Sequence, residues 1–169
     1  MEPSIFIILL RLIVPLSILR WPLAGGILAM AAVASDVFVL QAFGWGLFEG
    51  DAYHRLDKLL DTYYIALECW VVLRWKDETA RNVGVGLFVL RLAGLMAFEA
   101  TGSRAVFLAT PNIFENFYLL WLLFPRLRGR LPLLLTIAAV PKVAQEYVMH
   151  YREFPTWEYL RDALFYWIF

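Results

Sequence analysis

Six long apolar stretches, set apart by prolines, glycines and charges, constrain this chain more than any other feature of its sequence. They run roughly over 4–19, 23–43, 59–75, 83–98, 105–124 and 131–149. A helix that crosses a bilayer needs about 20 mostly apolar residues, because the hydrocarbon is roughly 30 Å thick and each residue rises about 1.5 Å. Each stretch meets or approaches that length. The expected fold is therefore all-α, a polytopic membrane protein of six transmembrane helices. Composition supports it: the chain is 62% hydrophobic and 18% charged, where a soluble domain is roughly 45–50% apolar and about 25% charged. Too few polar residues remain to cover a water-facing surface.

The connections between the stretches are short, so consecutive helices should be antiparallel neighbours. No internal repeat, low-complexity tract or break in composition marks a boundary, and residues 1–169 are expected to form one six-helix domain. Near the N-terminus the apolar run continues through Arg20, Trp21 and Pro22 into the second stretch, without the small-residue cleavage site of a signal peptide. A retained first helix is expected. The last segment, 152–169, mixes charge with Trp157, Tyr159, Phe165 and Trp167 beyond Pro155. Aromatic rings favour the headgroup layer, so this tail reads as a short interfacial helix or a docking surface for another membrane subunit.

Lys and Arg balance Asp and Glu at 15 each, which leaves no basic field to hold nucleic acid. The single cysteine, Cys69, excludes an internal disulfide framework and reads as a packing residue. With six spans both termini share a face flanked by five basic residues, while the opposite face has seven: Arg20, Arg74, Lys76, Arg81, Arg126, Arg128 and Arg130. The positive-inside rule places the second group in the cytoplasm, in a plasma or inner membrane.

Ionisable groups inside a span cost about 2.5–3.5 kcal/mol each on insertion scales, so each needs a partner or a task. Arg11, Asp36, Asp61, Glu68, Arg91, Glu115, Lys142 and Glu146 all fall inside or near the ends of the expected spans. Arg11, Arg91, Glu115, Lys142 and Glu146 are expected to form a buried charge and polar network. Lys142 with Glu146 is its natural ion pair, and Asn112, Asn116 and Gln145 are placed to hydrogen-bond between helices. Glu146 and His150, four apart, could also join Glu115 around a transition metal. The sequence holds only His54 and His150, so no multi-histidine centre is expected. Gly25-Gly26 and Gly84-Val85-Gly86 suit close helix packing and lack the basic residue of a phosphate loop.

Asp36, Asp57 and Asp61 form the most informative set. Asp36 lies toward the end of the second span and the other two open the third, so an antiparallel hairpin brings them to one membrane face. Asp57 and Asp61 are four apart and share a helical face. Three converging carboxylates repel one another unless a cation neutralises them, and hard oxygen ligands suit Mg²⁺, Mn²⁺ or Ca²⁺. The plainer alternative makes Asp57 a helix-start charge favoured by the dipole, with Arg55 and Lys58 as surface partners.

This region resembles the CDP-alcohol phosphatidyltransferases, six-helix membrane enzymes whose signature is D-x2-D-G-x2-A-R-x8-G-x3-D-x3-D. Asp36 aligns with the first aspartate, and the spacing then reaches Asp57 and Asp61 without a gap. Arg11 followed by Pro15, the small-residue run from Ala31 to Ser35, and Arg91 in the fourth span resemble the family as well. The resemblance implies that the aspartates hold divalent cations, Mg or Mn, against a CDP diphosphate, with Asp61 as the base toward the acceptor alcohol. Five of the eight signature positions differ, however: Val39, Leu40, Phe43, Gly44 and Tyr53 stand where the family has Asp, Gly, Ala, Arg and Gly. One carboxylate is lost, which weakens a two-metal arrangement, and Leu40, Phe43 and Tyr53 fill the nucleotide's space. The expectation is a member without ordinary transferase activity, acting as a lipid-binding or structural subunit beside other membrane proteins or further copies of itself. A metal-dependent phospho-alcohol transferase is the alternative. A small transporter is a third reading, favoured by the intramembrane charges and opposed by the absence of a repeated half.

Overall fold

The computed structural model describes the backbone of residues 3–43, 51–103 and 105–147, less the side chains of 3–4, 35–43, 51–55, 57, 105 and 146. Seven α-helices account for most of it: α1 (Pro3–Ile13), α2 (Pro22–Phe43), α3 (Asp51–Val72), α4 (Glu78–Thr101), α5 (Ala105–Ala109), α6 (Ile113–Leu123) and α7 (Leu131–Glu146). Short 3-10 helices follow α1 at Val14–Leu19 and α6 at Pro125–Leu127. Among the described residues there is no strand. The interfacial tail expected at 152–169 lies outside the described residues.

The described parts of the six apolar stretches are mostly helical, and proline breaks two of them. Pro15 has no N–H to give a preceding carbonyl, so α1 tightens there into a 3-10 helix. Pro111 does the same to the stretch expected at 105–124, which stops at Ala109 and restarts at Ile113. In α7, Pro141 sits inside the helix and removes one ladder bond. Charged residues extend two other stretches: α3 begins at Asp51 and α4 at Glu78, where Asp77 caps the first turn by accepting from the Ala80 N–H at 2.9 Å.

The helices group into two compact units, Met1–Asn82 and Val83–Phe169. In the first, the 3-10 helix packs against α2 and α3, with Ile18, Ala29, Tyr64, Ile65 and Val72 buried. Gly25 lets α2 approach the 3-10 backbone so closely that a Cβ there would overlap atoms of Ser17 and Ile18. In the second unit the core is aromatic. Phe114, Phe117 and Tyr118 on α6 are fully buried, with Trp121 beside them and Leu134 and Ala138 facing them from α7. Phe88 meets Phe114 edge-on at 5.6 Å and Phe98 stacks on Phe107 at 4.9 Å between centroids. Near the proline of α7, Asn116 donates to the Ala138 carbonyl at 3.1 Å.

Two helical stretches are long and apolar enough to cross a membrane: Glu78–Thr101, of 24 residues, and Val106–Leu123, of 18, which includes the bend at Pro111. Only 11% of the apolar window in the first is buried inside the protein, against 44% in the second. Val89 and Met96 of α4 point outward, as do Phe6 and Ile13 of α1, Leu59 of α3 and Val140 of α7.

Candidate functional site

Of the three aspartates singled out by their spacing, Asp61 is the one whose surroundings are described. Arg11 reaches it from α1: its Nη2 donates to Asp61 Oδ1 at 2.7 Å, with the arginine 3% exposed and the carboxylate 32%. The local sequence explains why the pair forms here. Arg11 occupies the last turn of α1, where the carbonyl end of the helix favours a cation. Pro15 cannot donate to the carbonyls of Arg11 or Leu12, and the Tyr63 hydroxyl supplies Leu12 instead at 3.1 Å. Arg11 and Tyr63 thus bind α1 and α3 together from opposite directions, one as a cation received by α3 and the other as a donor sent from it.

A carboxylate held by a buried guanidinium differs from one presented to a metal or to a substrate hydroxyl. Its Oδ1 accepts from the guanidinium, and its charge is offset by a group that cannot be deprotonated at any ordinary pH. Asp57 lies one turn before Asp61 on the uninterrupted helix α3, and Asp36 lies on α2 in the same unit. Their side chains are outside the described residues. Among the described residues, no three His, Cys, Asp or Glu side chains are close enough to hold a metal ion. The observed fit at Asp61 is to an internal cation.

The expected buried network divides between the two units. Arg11 belongs to the first and joins Asp61; Arg91, Glu115, Lys142 and Glu146 belong to the second. Arg91 lays its guanidinium over the Phe107 ring, 4.9 Å from the centroid, a contact that suits a cation inside apolar surroundings. Glu115 is buried in the first turn of α6 and accepts from Asn112 Nδ2 at 3.0 Å, which puts its charge at the favourable helix end. Lys142 Nζ donates to Gln145 at 3.1 Å. The Glu146 side chain expected beside it is outside what the structure describes, as are the side chains of both histidines. Arg91 and Asn112 are placed near the Pro111 bend by the register of the contacts Phe88–Phe114 and Gly94–Thr110.

Glu68, singled out in the sequence as an ionisable group within a span, is fully buried two turns after Asp61 on the same face of α3. Two features were not read from the sequence. Asn112 and Glu115 have the spacing of a capping box, although Asn112 uses its amide toward the Glu115 side chain and makes no bond to the backbone of α6. Arg128 folds back over Trp121, and nothing in the local sequence announces it beyond the alternation of arginines at 126, 128 and 130.

No protein-family model matches the chain, no curated protein matches it, and no solved structure matches it. The functional reading accordingly rests on the residues themselves.

Proposed function

We propose that this chain is a multi-pass membrane protein of six spans that resembles the CDP-alcohol phosphatidyltransferases without performing ordinary headgroup transfer, and that it works as a lipid-binding or structural subunit of a membrane assembly. One observation carries the reading: Arg11 holds Asp61 at 2.7 Å. The resemblance assigns Asp61 the part of base and metal ligand. Here a buried guanidinium already holds one of its oxygens and offsets the charge that a metal would otherwise meet. The same direction is given by the sequence, where Val39 replaces a carboxylate and Leu40, Phe43 and Tyr53 replace small residues. The outward apolar side chains of α1, α3, α4 and α7 suit a lipid environment.

The test is headgroup transfer in vesicles. The purified chain, given a CDP-alcohol, an acceptor alcohol and Mg²⁺ or Mn²⁺, should release no more CMP than its Asp61→Asn variant, and should be recovered with a stoichiometric membrane partner or as a homo-oligomer. One specific observation favours the transferase alternative. Helix α3 is continuous through Asp57 and Asp61, which keeps two carboxylates one turn apart as a cation site requires. CMP release that Asp57→Asn and Asp61→Asn both abolish, together with tight Mn²⁺ binding, would establish that alternative and end the subunit reading.

A further inference from the structure

The second unit carries a basic turn between α6 and α7 whose three arginines do different things. Helix α6 stops at Leu123, Pro125–Leu127 forms the 3-10 helix and α7 begins at Leu131. Arg126, Arg128 and Arg130 fall within those few residues, and from Asn116 to Gln145 the sequence contains no Asp or Glu. Arg128 has a structural task. Pro125 stands where the helix would supply an N–H to the Trp121 carbonyl, and Arg128 Nε supplies it instead at 3.1 Å while its guanidinium lies over the Trp121 ring at 5.4 Å.

Arg126 and Arg130 are exposed and have no such task. Arg130 stands at the N-cap position of α7 and makes no capping bond, although that helix end carries partial positive charge and disfavours a cation. Positive charge is thus stacked on positive charge, with no acidic residue from the same stretch of chain to offset it. Leu123 and Phe124 immediately before the turn are exposed as well. An acidic soluble partner would match the arginines but leave those two side chains in water. A bilayer surface matches both, because acyl chains receive Leu123 and Phe124 while phosphates receive the guanidinium groups.

We propose that the turn spanning 125–130 is an anchor for anionic phospholipid headgroups, with Arg126 and Arg130 pairing to headgroup phosphates and Arg128 holding the turn's shape. The inference rests on the membrane reading above and adds to it a lipid class, a position and a division of labour. Zwitterionic lipids present phosphate without net charge and do not offset the surplus, whereas an anionic leaflet does. It also places this turn on the cytoplasmic side, where the anionic lipids are concentrated.

The full chain, reconstituted in phosphatidylcholine bilayers, is examined by electron spin resonance with a trace of spin-labelled phosphatidylglycerol or phosphatidylcholine. The wild type should select phosphatidylglycerol. Arg126→Gln and Arg130→Gln should each lower that preference, by up to about fivefold, while Arg126→Lys keeps it because the charge remains. Arg128→Gln should instead lower the thermal midpoint in detergent more than either of the other two. Equal retention of both lipids by the wild type, or an undiminished preference in the Arg126→Gln/Arg130→Gln double variant, overturns the proposal. Bilayer flotation separates this failure from that of the underlying reading. A chain that floats with both lipids and prefers neither contradicts the anchor alone, whereas one that stays in solution without detergent contradicts the membrane protein and the anchor with it.

Discussion

The two units hold their helices together in different ways. The first uses an ion pair, a tyrosine hydroxyl and a glycine-tight backbone approach: Arg11 to Asp61, Tyr63 to Leu12, and Gly25 against the 3-10 helix. The second uses packed rings in edge-on, stacked and tilted pairs, with Phe88, Phe98, Phe107, Phe114, Phe117 and Trp121 forming most of its described aromatic contacts. In hydrocarbon, apolar side chains gain little by leaving lipid for protein, so association depends on close packing and on polar groups that need each other. The ion pair therefore specifies one register of α1 against α3. The rings tolerate small adjustments and contribute by area and shape.

The largest expected effect tests the aromatic side. Phe114→Ala removes a fully buried ring and should lower stability in detergent by about 3–5 kcal/mol, read from the midpoint of thermal unfolding; a change below about 1 kcal/mol would show that this core does not hold its unit together. The next tests the ion pair. Asp61→Asn leaves the buried Arg11 guanidinium facing a neutral amide, and should cost about 2–4 kcal/mol, discounted for the partial exposure of the carboxylate. Adding Arg11→Met should recover much of that loss, because the uncompensated charge is then gone. If the double variant is no better than Asp61→Asn, the pair is not the reason the two positions matter.

Two glycines refine the contrast. Gly25→Ala places a Cβ on backbone atoms of Ser17 and Ile18, which cannot move aside, and should cost about 1–3 kcal/mol. Gly94→Ala meets the Thr110 side chain instead, so Thr110→Ala introduced with it should restore most of the stability; failure of that rescue would mean that the helices there are as rigidly opposed as in the first unit. The smallest effect is expected for Asn116→Leu, which removes the bond to the Ala138 carbonyl. A loss of about 0.6 kcal/mol, the average of such bonds between membrane helices, should be resolved by reversible unfolding in bicelles.

Much of the fold was legible because helix formation in apolar segments is a local decision. The six stretches and their proline and glycine punctuation determine where helices run, since in either water-poor surroundings or a protein interior each backbone N–H and C=O must be satisfied, and a helix does so within its own segment. The breaks at Pro15 and Pro111 are also local in cause, although the reading joined the residues on either side into single spans. Spacing likewise placed Asp57 and Asp61 on one face of α3. It could not say which partner each acid would have.

The amino-acid sequence by itself determined that this chain is helical and apolar, and that charged groups are embedded where they need partners. Tertiary structure decided the pairings: Arg11 went to Asp61 and Arg91 to the face of Phe107. The reason is physical. A helix is fixed by bonds four residues apart, whereas the partner of a buried charge is fixed by which segments, fifty residues distant in the case of Arg11 and Asp61, are brought within a few ångströms when the helices pack.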